Sequence, residues 1–187
     1  MNPFSIIWSA YLRWRHSKGF GVHSPFAFAL VNDAVRPGIY GYYGYELINN
    51  VILLNQEESY PRINKDACLL LRLLVALAPQ RLYIGGDDLY AFRAAAIAAG
   101  IPLFLPSETP PYPRKGDFLL IKGDTADWAE TVTLLRKGVT VMTIDSPAGL
   151  KECVENAVER GTVFSGTRIS LAVPREEMAL VKYTMQF

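Results

Sequence analysis

From residue 63 onward the chain alternates short apolar stretches with helical ones, and this alternation constrains the fold more than any other feature. "RLYIG", "IPLFL", "DFLLI" and "VTVMTID" read as strands. "INKDACLLLRLLVALAP", "DLYAFRAAAIAAG", "TADWAETVTLLRKG" and "PAGLKECVENAVERG" read as the helices around them. Strand alternating with helix implies βαβ units and a parallel sheet. "FLLI" and "VTVMTI" are almost continuously apolar, as a strand must be when helices cover both its faces. Two further strands are expected within "TVFSGTRISLAV" and "EMALVKYTMQF". They lie too close for a helical crossover and are expected to pair antiparallel, joined near "PREE". The class that follows is α/β, with a mostly parallel sheet and a C-terminal antiparallel hairpin.

The first 60 residues have a different texture, aromatic and helical, and are expected to form an N-terminal helical cap on a domain spanning 61–187. Ser24 is placed to cap a helix with Pro25 at its first position, running through "PFAFALVNDAV". "GIYGYYGYE" reads as a loop and "ELINNVILLNQ" as a further helix. The aromatic face made by Phe4, Trp8, Tyr11 and Trp14 has three readings: packing on its own domain, a homodimer contact, or a membrane-surface helix.

With 187 residues, half of them hydrophobic and a fifth charged, the chain reads as one compact globular unit. A formal net charge of +1 supplies no basic field for nucleic acid. The most apolar run, "ACLLLRLLVALAP", is too short to span a bilayer and carries Arg72 at its middle. The N-terminus lacks the charge order of a signal peptide. Cys68 and Cys153 belong to no CxxC pair and read as reduced thiols of a cytoplasmic protein. Two histidines and two cysteines, scattered along the chain, have no metal-ligand spacing. There is no GxSxG turn for a serine hydrolase.

In an open α/β sheet, ligands bind beyond the carboxyl ends of the strands. The turn after the first strand, "IGGDDLY", is therefore the place to look. Gly85 and Gly86 would let the backbone approach a ligand closely, and the next helix offers free N–H groups. The turn lacks GxGxxG spacing, and Asp87 and Asp88 put negative charge where a phosphate would sit. Those charges suit a cationic ligand such as a sulfonium better. The other reading is a tight turn whose aspartate caps the following helix. Glu108, 22 residues beyond Gly86, is placed either to accept ribose hydroxyls or as a solvated loop carboxylate.

"GFGVHSPFAFALV" (residues 19–31), "LLLRLLVALAPQRLYIGG", "DFLLIKG", "VMTIDSP" and the closing "ISLAVPREEMALVKYTMQF" together carry a resemblance. The chain resembles a class I S-adenosylmethionine-dependent methyltransferase-like family of Bacteroidetes with an HGVHSPF-type N-terminal segment. The resemblance implies a trimmed Rossmann-like class I methyltransferase fold under an N-terminal helical cap. It implies S-adenosylmethionine as cofactor, contacted at Gly85, Gly86 and Glu108. His23 would be either a base or substrate contact beneath the cap, or a residue that fixes the loop before its helix. The departures point to a degenerate member. Tyr83 and Lys122 stand where the family has acidic residues, and the fifth strand keeps only Asp145. Between Leu105 and Asp117 a Pro-rich loop replaces a helix and a third strand. Two functions stay open: a non-catalytic relative kept for ligand or partner binding, and an active methyltransferase acting on a small substrate under the cap.

Overall fold

The computed structural model of the chain describes residues 8, 11, 24–35, 44–55, 64–86, 89–105, 112–124, 127–185 and 187. Among them are six α-helices: α1 (Pro25–Leu30), α2 (Gly44–Asn55), α3 (Lys65–Leu77), α4 (Tyr90–Ala99), α5 (Trp128–Arg136) and α6 (Ala148–Ala157). A π-helical turn, Val31–Val35, continues α1. Seven strands form one mixed sheet: β1 (Leu82–Gly85), β2 (Leu103–Phe104), β3 (Phe118–Lys122), β4 (Thr140–Ile144), β5 (Gly161–Ser165), β6 (Ile169–Pro174) and β7 (Val181–Thr184). Their order across the sheet is β2-β1-β3-β4-β6-β5-β7. The fold class is α/β. No helix among the described residues is long and apolar enough to cross a membrane.

The predicted cap at Ser24 acts as expected, and two further caps start later helices. Ser24 Oγ accepts a hydrogen bond from the Ala27 N–H at 3.3 Å, with Pro25 at the first helical position. Asn64 Oδ1 accepts from the Ala67 N–H at 3.0 Å and starts α3. Asp127 Oδ1 accepts from the N–H groups of Ala129 and Glu130 and starts α5. After the glycine turn, α4 begins following Leu89, whose own side chain makes no capping bond. Asp87 and Asp88 lie outside the described residues.

Alternation along the strands separates two cores. Leu82, Ile84, Phe118, Leu120, Met142 and Ile144 point to one face and are covered by α3 and α4. Ile121, Val141, Val163 and Ala172 point to the other and meet Leu135 of α5 and Leu150 and Val154 of α6. The N-terminal elements add a further layer outside α3 and α4. Arg72 of α3 is buried, and its guanidinium donates to the Ala34 carbonyl and to the Tyr45 hydroxyl. A charge inside an apolar helix is thus satisfied by the very segment it anchors. At Gly44, a Cβ would come within 2.6 Å of Leu71, so α2 can sit this close only with glycine there.

The expected C-terminal hairpin is corrected. "TVFSGTRISLAV" holds two strands, β5 and β6, which pair antiparallel from Gly161↔Pro174 to Ser165↔Ser170. Gly166, Thr167 and Arg168 make the turn. The segment read as one strand is therefore broken by a glycine-containing three-residue loop. β6 does not pair with β7. Residues 175–180 pass the start of β5, and β7 joins its other side in parallel. β6 alone runs against the sheet, antiparallel to both β4 and β5.

One ion pair ties the amino ends of β1 and β3. Asp117 is fully buried, and Arg81 reaches it with two hydrogen bonds of 3.1 and 2.8 Å. The Arg114 N–H adds a third at 2.8 Å. Asp117→Ala is expected to lower the unfolding free energy by about 2–3 kcal/mol, because it removes charged hydrogen bonds in a desolvated place. Glu152→Ala, on an exposed helix surface, should change it by less than about 0.5 kcal/mol. Urea denaturation of the two variants checks the difference.

Candidate ligand cleft at the carboxyl edge

Three parallel neighbours, β1, β3 and β4, end together at Gly85, Lys122 and Ile144. The backbone after each strand turns through a left-handed or glycine conformation: φ is +126° at Gly86, +77° at Gly123 and +50° at Asp145. Gly86 has a local reason to be glycine. A Cβ there would stand 2.4 Å from the Lys122 carbonyl oxygen and 2.9 Å from its Cβ. The close approach is thus made to the chain's own backbone. Gly123 has no heavy atom within 4 Å of an added Cβ.

Asp145, the single acidic residue expected after the fourth strand of this sheet, is engaged. Arg168 donates to both its oxygens at 2.7 Å and to Asp66 Oδ2 at 2.9 Å. These bonds hold the Asp145 carboxyl below the usual carboxylate range. The Asp145 N–H also donates to the Arg168 carbonyl at 2.9 Å. At β3, the Lys122 amine stands 5.8 Å from the centre of the Phe92 ring, directed to the α4 face.

On the opposite face a cleft of about 390 Å³ opens beside Gly85. Its floor is Tyr83, Leu119 and Ile121 from the sheet, with Phe104 at the β2 edge. Leu134, Thr131, Glu130 and Asp127 of the α5 region make one wall, and Tyr112 and Pro113 the other. Tyr83 is only 6% exposed and stacks on Phe104, with ring centres 5.4 Å apart and planes at 21°. Burial pushes its phenol up from the ordinary tyrosine range, so the ring is neutral at physiological pH. The volume and the mostly apolar, aromatic lining match those of a small-molecule site.

Of the sequence-predicted site residues, Gly85 lines this cleft and Gly86 packs on Lys122. His23 and Glu108 lie outside the described residues. Ser24, next to His23, donates its N–H to the Tyr183 hydroxyl at 3.4 Å. That places it at β7, five strand positions from β1. Of the N-terminal aromatic face, Trp8 and Tyr11 are described and exposed, with ring centres 5.7 Å apart. Phe4 and Trp14 fall outside the described residues. No metal-binding cluster of His, Cys, Asp and Glu is found among the described residues.

Sequence reasoning noticed Tyr83 only as a departure and missed Phe104, Asp127 and Glu130. The signal was present. Tyr83 and Phe104 fall on the same side of their strands by the period of two. The loop "PSETPPYPRKG" offers no helix to cover that side. The sequence matches no protein-family model and no curated protein.

Gly86→Ala is expected to destabilise by about 3 kcal/mol or more, combining a forbidden φ with overpacking. Gly123→Ala should cost only about 1 kcal/mol, since conformation alone opposes it. Thermal unfolding of both variants gives the contrast. The Arg168 pair is half-exposed, so Arg168→Met should cost less than about 1 kcal/mol at pH 7. A carboxyl whose native pKa is lowered stabilises the fold above its unfolded value and loses that contribution as pH falls through the native one. The difference between wild type and Arg168→Met should therefore vanish in acid, below the usual carboxylate range. Urea titrations at pH 7 and in acid measure it.

Proposed function

We propose that the chain is a methyltransferase-like α/β scaffold that does not transfer methyl groups and serves to bind a ligand in the cleft beside Gly85. A reversed strand, β6, set between β4 and β5 in an otherwise parallel sheet, supports reading the fold as a trimmed methyltransferase-like one. The observation that carries the non-catalytic reading is the chemistry of the carboxyl edge. Where the resemblance would put acidic residues for a cofactor there stand Tyr83, buried against Phe104, and Lys122, turned toward Phe92. The remaining carboxylate, Asp145, is committed to Arg168.

Methyl transfer asks a protein to align a sulfonium with a nucleophile, and sometimes to supply a base. With Tyr83 and Lys122 in place of acidic residues and Asp145 paired to Arg168, that alignment is lost. The same surface still offers a ligand-sized, aromatic hollow at the end of β1, where ligands of open α/β sheets bind.

The test is turnover. Purified protein incubated with methyl-labelled S-adenosylmethionine and a bacterial small-molecule extract is expected to give no labelled product above a protein-free control. Labelled product, together with micromolar binding of S-adenosylmethionine by calorimetry, would overturn the proposal in favour of an active methyltransferase. Gly86→Asp is a poor control for such binding, because any side chain at Gly86 strikes Lys122. Leu134→Trp, which fills the cleft from α5, is the better one.

A further inference from the structure

The residues around the cleft carry a charge pattern that its apolar lining alone would not require. Among the described residues, Asp127 and Glu130 are the charged side chains lining it, and both are exposed at its mouth. Neither is in an ion pair among the described residues; Asp127 uses one oxygen to cap α5, and its second has no hydrogen-bond partner there. Facing them are three aromatic rings, Tyr83, Phe104 and Tyr112.

Two of these rings already take cations from the protein. The Arg81 guanidinium stands 5.9 Å from the centre of Tyr83, and the Lys137 amine 4.7 Å from that of Tyr112. Neither residue lines the cleft, and Arg81 is balanced by Asp117. Rings of this kind attract cations through their π-faces, and the charge carried by the cleft's described lining residues is negative.

We propose that the cleft selects an organic ammonium cation whose alkyl groups lie on the Tyr83, Phe104 and Leu119 floor and whose charge faces Asp127 and Glu130. An anion would meet two carboxylates there, and an inorganic cation would gain nothing from the apolar floor. The proposal rests on the reading of this hollow as a ligand site and adds the chemistry of the ligand.

Choline and its uncharged isostere 3,3-dimethylbutan-1-ol separate the two ideas, because carbon replaces the charged nitrogen with little change of shape. Binding is followed by ligand-detected NMR titration on the full chain. Choline is expected to bind at least about fivefold more tightly than the alcohol. The double variant Asp127→Asn with Glu130→Gln should abolish that preference while leaving alcohol binding unchanged. Asparagine still caps the helix, so the fold is retained, and the unchanged alcohol signal verifies it. Equal binding of the two probes would overturn the cation proposal and leave the cleft as a neutral ligand site. Failure of both probes to bind, or binding unaffected by Leu134→Trp, would overturn the ligand-site reading as well.

Discussion

A parallel strand buried in a sheet has no face it can give to water, so each strand must be covered on both sides. Among the described residues there is more strand than helical cover. On one face α3 and α4, backed by α2 and the Val31–Val35 turn, lie over the sheet. On the other, α5 and α6 cover β3, β4, β6 and β5 and leave the β1–β2 corner to Tyr83, Phe104 and a loop. The cleft is the direct result of that shortfall. An aromatic pair closes the corner well enough to keep Tyr83 buried, and the depression above it is available to something else.

The same shortfall accounts for the behaviour of the carboxyl edge. With β1 pressed close to β3, Gly86 meets the Lys122 carbonyl, and that contact together with its φ of +126° requires glycine. Asp145 and Arg168 close the edge further along, across β4 and the β5–β6 turn, and reach Asp66 at the start of α3. Polar groups that would face a cofactor on such an edge are here used to hold neighbouring turns together. In the proposed reading, ligand binding moves from the rim of the strands to the face next to Gly85.

Much of this fold was legible from local physics. The α/β class, the helix capped by Ser24, the existence of the later helices and the strands from Leu82 to Ile144 followed from apolar period and one capping signal. The errors came where local pattern is ambiguous. "TVFSGTRISLAV" is apolar enough to pass for one strand, and only the flanking register reveals Gly166 as a turn. At the sheet edge, β2 covers only Leu103 and Phe104 of the run "IPLFL", so its strand signal exceeded its ladder. The site was less legible than the fold. Gly85 lines the cleft, but the walls come from Phe104, Tyr112 and α5, far apart in sequence. Which sheet face lacks a helix is a property of the whole topology, and no single motif records it.

The central claim is that the uncovered Tyr83 face is the molecule's ligand surface, and its location can be measured directly. Amide chemical-shift mapping of the ¹⁵N-labelled chain during a choline titration reports each backbone position. The account requires shifts that cluster at Tyr83, Gly85, Leu119, Thr131 and Leu134 and leave β5 and β7 unmoved. A second hollow of about 220 Å³, lined by Lys115, Arg160 and Arg175, lies at the amino ends of the strands. Shifts confined to that hollow, or no shifts on the Tyr83 face, would contradict it.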